Sequence, residues 1–222
     1  MTDEPPQEPN KRSRAFGRSL DDFAGPGGSG LYPAERKLLK CVAKGEECRI
    51  HETRPDAPNA DKSHVVRPGF LRFLALGGDE NAPVHEKGIK LFGAYIDGDI
   101  DLNNCKINVP VSLVRCHVAG EIVLFDADTQ FLAFTGSHCN GLSGDRLTTT
   151  GSVKLDADKK GRFHATGEVR LNGASIGGNF VCRGGRFENE NKGGKALSCD
   201  GLTTTGDVYL DADEKYHFHA TG

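Results

Sequence analysis

Residues 147–167 read LTTTGSVKLDADKKGRFHATG, and residues 202–222 read LTTTGDVYLDADEKYHFHATG. Sixteen of the 21 aligned positions are identical, at a fixed offset of 55. Self-similarity at a fixed period marks a stacked-repeat architecture, in which no single unit can bury its apolar face alone. A finer period runs inside it. Ile89, Leu91, Ala94, Ile96 is followed by Ile100, Leu102, Cys105, Ile107, then Val111, Leu113, Cys116, Val118, then Ile122, Leu124, Ala127. Each set is the previous one shifted by eleven residues, and Leu132, Phe134, Ser137, Cys139 continues the series with one residue dropped. The pattern returns as Val169, Leu171, Ala174, Ile176 and as Phe180, Cys182, Gly185, Phe187. Val153/Leu155 and Val208/Leu210 open two more units. The 55-residue repeat is therefore four eleven-residue units with two insertions, five residues around KKGRF and six around ENENKG.

Within each unit the apolar residues alternate, which is strand periodicity. The third inward position is read as always small (Ala, Cys, Ser, Gly), as a tight corner requires. Two units, about 22 residues, predict one coil rising ~4.8 Å, the spacing of paired strands. Antiparallel sandwiches also space short strands at 8–12 residues, but strict eleven-residue phasing with small residues in one slot argues against that fold. The expected class is mainly β: a solenoid of ~11-residue strand modules with a small α-helical N-terminal cap. The 29 glycines, the single Met and the absence of Trp suit tight turns better than a helical bundle.

Three regions follow. Residues 1–30, rich in Pro, Gly and charge, bury too little apolar surface to offset ordering and read as a disordered tail, with Lys11, Arg12 and Arg14 solvated. Residues 31–85 read as a helical cap. Pro33 opens one helix, Leu38, Leu39 and Val42 form its stripe, and Gly45 ends it; a second helix runs from Pro68 to Leu76, stopped by Gly77-Gly78. The polar loop HETRPDAPNADKSH lies between them. Residues 86–222 read as the solenoid, truncated at its C-terminal end. Gly167, the counterpart of Gly222, is followed at once by the strand Glu168–Leu171, and a stack cut there leaves unpaired edges. The expectation is a truncated chain or an end covered by another surface, end-to-end self-association included.

The N-terminus lacks a secretory signal, and no stretch nears the ~18 apolar residues that span a bilayer. Seven cysteines without CxxC pairs point to reduced, structural thiols in a cytoplasmic protein. A formal net charge of −3 gives no electrostatic case for nucleic acid.

The steps Ala94-Tyr-Ile96, Cys105-Lys-Ile107, Cys116-His-Val118 and Ala174-Ser-Ile176 resemble those of pentapeptide-repeat proteins, though without their strict five-residue spacing. That resemblance implies a right-handed, quadrilateral β-helix. Residues 32–48 (YPAERKLLKCVAKGEEC), 70–102 and 165–187 (ATGEVRLNGASIGGNFVCRGGRF) resemble a group of large, poorly characterised bacterial repeat proteins. Members of that group are often labelled membrane proteins or membrane-associated oxidoreductases, many continuing into apolar C-terminal segments. It implies placement at the inner face of a membrane through such segments, which these residues lack. No catalytic motif carries the oxidoreductase label onto a residue here.

Candidate chemistry is sparse. His164 and His219 hold equivalent slots in FHATG, but two coils of ~4.8 Å place them about 10 Å apart, too far to share one zinc. Asp156/Asp158 and Asp211/Asp213 could face a hard cation, yet lack a glycine-rich calcium loop, and turn formation is the commoner use. Cys105 and Cys116 share a slot in consecutive units, so they sit across the coil from each other as buried packing. The glycine pairs in LGGDENAP and IGGNF do not make a nucleotide-binding loop. No catalytic, cofactor-binding or metal-binding residue is assigned, no cofactor is implied, and an enzyme is disfavoured. The expected function is a structural scaffold or protein-interaction module. The alternatives are a topoisomerase-binding inhibitor, which near-balanced charge weakens, and a membrane-associated oxidoreductase, on the group's label alone.

Overall fold

A computed structural model describes residues 18–25, 30–191 and 193–222. Lys11, Arg12 and Arg14 lie outside these residues. The chain is mainly β, its strands stacked in parallel as a solenoid stacks them, with three short helices among the described residues: α1 (Asp21–Ala24), α2 (Pro33–Val42) and α3 (Pro68–Ala75). Four walls run along the stack. Wall one carries seven strands, from Cys48–Arg49 through Ile89–Phe92 and Val111–Val114 to Val208–Tyr209. Wall two carries seven, from Val65–Val66 through Tyr95–Ile96 to His219–Thr221. Walls three and four carry five each, Ile100–Asp101 to Leu197–Ser198 and Lys106–Ile107 to Thr203–Thr204.

The register follows the eleven-residue pattern taken two units at a time. Ile89 pairs with Val111, Val111 with Leu132, Leu132 with Val153, Val153 with Phe180 and Phe180 with Val208. Like therefore lies on like, and the alternating Ile, Leu and Val side chains fill one continuous core. The insertions leave the walls without breaking them. Around KKGRF the chain forms a hairpin closed by an antiparallel bridge between Ala157 and Arg162.

The corners have a local cause. Residues 93, 104, 115, 126, 136, 146, 173 and 184, each just ahead of a third inward position, all have φ between +49° and +69°. Bonds such as Cys105 N–H to Leu102 C=O and Ala127 N–H to Leu124 C=O close four-residue turns around several of them. A turn with positive φ at its third residue favours Gly or Asn. Here Asn104, Arg115, Asp126 and Arg146 occupy it alongside four glycines.

The third inward position is not always small. In the unit from Leu142 to Thr149 the sizes are exchanged: Gly144 takes the second slot and buried Leu147 the third. A Cβ on Gly144 would stand 2.7 Å from Leu171 Cδ2, so the space a side chain would use is already filled. Phe163 takes the same slot in wall two and packs against Phe187 at 5.5 Å between ring centroids. The core conserves volume across neighbouring slots rather than size at one.

The helical segment does more than cover the stack. Cys48–Arg49 pairs with Leu91–Phe92 and Val65–Val66 with Tyr95–Ile96, so walls one and two begin inside the region read as cap. Nor is the segment before residue 30 wholly a tail. In α1, Phe23 is buried against Phe70 and Phe73 of α3, at 5.4 and 5.5 Å between centroids. Burying an aromatic ring stabilises by roughly 1.5–3 kcal/mol, enough to hold one helical turn.

Candidate functional site

Taken at the two-unit register, the residue following the third slot forms an outward column on wall two: Tyr95, His117, His138, His164, Arg186, His219. Ring centroids are 4.9 Å apart for Tyr95–His117, 4.6 Å for His117–His138 and 5.2 Å for His138–His164. The column is half-buried because the segment between His51 and His64 reaches over wall two, and Arg54 Nη1 donates to Gly136 O and Arg162 O. Burial, with Arg54 second, holds His117 below the usual imidazole value. Burial also dominates at His138, and the like charges that His117, His164 and Arg54 would present add to it, bringing the group down to about 4. His138 Nδ1 is buried without a hydrogen-bond partner among the described residues. His164 Nε2 donates to Glu188 Oε2 at 2.8 Å, yet burial outweighs the carboxylate and the His164 pKa is lowered.

His164 and His219 are separated in register by Arg186. They are not independent, however. Glu188 reaches His164 at 2.8 Å and His219 at 4.0 Å from its two oxygens, and also pairs with Arg186. Among the described residues no group of three or more His, Cys, Asp or Glu side chains is arranged to hold a metal ion.

The aspartate pairs build turns and ion pairs. Asp158 accepts the N–H groups of Lys160 and Gly161 and pairs with Arg115 at 2.6 Å. Asp213 accepts the N–H groups of Lys215 and Tyr216 in the matching hairpin. Asp156 accepts the Thr135 hydroxyl at 2.6 Å, and Asp211 pairs with Arg183 at 2.9 Å. Cys105 and Cys116 sit in different walls. Cys105 Sγ accepts from Arg72, while Cys116 donates towards Leu91 O. Burial pushes the Cys116 and Cys139 thiols up to about 12 and raises Cys105, which keeps them protonated and poorly nucleophilic.

The remaining candidate surface is the last rung. Leu197–Ser198, Thr203–Thr204, Val208–Tyr209 and His219–Thr221 each end a wall, paired on one side only. Val208 and Leu210 are 48% and 47% exposed, whereas their counterparts Val153 and Leu155 are buried. Among the described residues no helix is long and apolar enough to cross a membrane. No family model, curated protein or solved structure matches the chain.

Proposed function

We propose that the chain is a structural scaffold and protein-interaction module, built as a right-handed β-solenoid with about 22 residues per coil. Its partner is another protein surface, and a second copy of the chain met end to end through the last described rung is the occupant proposed for it. The supporting observation is the half-exposure of Val208 and Leu210 beside four strands whose outer edges are unpaired. Unpaired edges template further pairing, and apolar side chains beside them add the driving force. Two identical ends related by a twofold axis form a closed, self-complementary contact, so association stops at the dimer. A reducing, cytoplasmic setting fits the seven unpaired cysteines.

Sedimentation equilibrium across the micromolar range tests this: a monomer–dimer equilibrium is expected, and a monomer at every concentration overturns it. A supercoiling assay and an absorbance spectrum of the purified protein test the topoisomerase-inhibitor and oxidoreductase alternatives.

A further inference from the structure

Arg54 is a charge without a contact ion pair among the described residues. Its guanidinium is half-buried where the 51–64 segment meets the insertion hairpin 157–162. Its hydrogen bonds there are long: Nη1 lies 3.4 Å from Gly136 O and 3.5 Å from Arg162 O. Among the described residues no carboxylate stands within ion-pair distance of it, while Arg115, Arg146, Arg170, Arg183 and Arg186 each have one. Burial pulls Arg54 below the usual arginine value, against the opposing pull of Asp56 and Tyr216. Desolvating a cation costs several kcal/mol unless an anion compensates.

A cleft of about 190 Å³ opens beside this group. Arg115 and Lys160 join Arg54 in lining it, and Thr53 and exposed Asp56 complete the rim. Arg115 is held in place by Asp158 at 2.6 Å and by Glu52 O at 3.2 Å, so it is already oriented. The floor is the backbone of Gly136 and Gly161. A Cβ on Gly136, whose φ is +68°, would stand 3.1 Å from Arg115 Cγ. Three cations line the cleft against one lining carboxylate, Asp56, while Asp158, outside the lining, pairs with Arg115. The cleft has room for several waters, which is enough for a tetrahedral oxyanion or a diphosphate.

We propose that this cleft is a binding site for a small phosphoryl oxyanion, held by Arg54 and flanked by Arg115 and Lys160. Guanidinium forks match phosphoryl oxygens, and the charge-assisted hydrogen bonds gained would be stronger than the long carbonyl contacts they supplement. The phosphoryl group could belong to a free anion or to the end of a small phosphomonoester.

Isothermal titration and thermal denaturation of the whole chain test this, using inorganic phosphate, pyrophosphate and glycerol 3-phosphate against sodium chloride at matched ionic strength. The expected result is saturable one-to-one binding of at least one phosphoryl probe, with a rise in melting temperature that chloride does not give. Binding by phosphate and pyrophosphate but not by the monoester assigns a free anion, and tight monoester binding assigns the other source. Arg54→Gln should weaken binding about 10- to 100-fold, the loss of one charged hydrogen-bonding group, and leave the anion-free melting temperature equal or higher. Exposed Lys160→Ala should weaken it about fivefold without touching the fold, and it serves if Arg54→Gln does not fold. No saturable binding at millimolar phosphate, pyrophosphate or glycerol 3-phosphate overturns the site, as does binding that both variants retain in full.

Discussion

The carboxylate of Glu35 and the guanidinium of Arg67 meet at 2.6 Å where solvent does not reach the acid at all. Glu35 also accepts the Tyr32 and Arg67 backbone N–H groups, and Arg67 donates on to Phe23 O and Gly30 O. One ion pair thus ties α1, the start of α2 and the start of α3 above the first rung.

Removing either partner leaves the other charge buried and alone. Arg67→Met should destabilise the fold by about 3–5 kcal/mol, and Glu35→Leu with Arg67→Met by clearly less than the two single changes summed. Urea unfolding followed by circular dichroism measures both, and additive costs would show that the two side chains are not energetically coupled.

At the corners, Asn104 holds φ at +53°. Glycine accepts that conformation at no steric cost, while a β-branched residue resists it. Asn104→Gly should leave stability unchanged or raise it by up to about 1 kcal/mol, and Asn104→Val should lower it by about 1–2 kcal/mol. Melting temperatures of the pair suffice; a stabilising valine would refute the account of the corners.

The histidine column makes stability depend on pH in a definite direction. His138 has a pKa of about 4 in the fold against 6.5 when unperturbed. Above 6.5 it is neutral in both states. As pH falls below that, the unfolded chain takes up a proton that the folded column refuses, so stability drops until about pH 4 and this residue adds no further loss below it. His117 and His164, also lowered, act in the same sense. Urea midpoints between pH 7.5 and 4 should therefore decline, and His138→Phe should flatten the decline; an unchanged slope would exclude the column as its cause.

On the last rung, Val208→Lys and Leu210→Lys place charge on side chains about half exposed in the free molecule. Each should abolish the dimer while shifting the melting temperature of the dilute monomer by no more than a degree or two, because surface changes of this kind are worth within about 0.5 kcal/mol. Sedimentation and calorimetry separate these outcomes.

The stacked fold was legible because burial selects residues at a spacing of two within a strand and eleven between units, as Ile89, Leu91, Ile100 and Leu102 show. The helices were marked by Pro33, Pro68 and the glycines after them, and they fall on α2 and α3. What escaped notice depends on the second period. Read one unit at a time, Tyr95, Lys106 and His117 alternate without meaning. Read two units at a time, Tyr95, His117 and His138 fall in one column, with His164 displaced by the insertion. That signal was available. The exchange of Gly144 and Leu147 was not, since it depends on Leu171 one rung away. The proximity of Arg54 to Gly136 joins residues 82 apart through a loop without periodicity.

The hydrogen bonds that join one rung to the next, such as Leu102 N–H to Val123 C=O, run along the axis of the stack. A pulling force applied to the last rung therefore loads a few bonds of one short strand at a time, and the chain yields by peeling from that end at low force. Bending is opposed by four walls together. The stack of described strands resists bending but yields by peeling, and pairing the outer edges of its last rung would strengthen it mechanically.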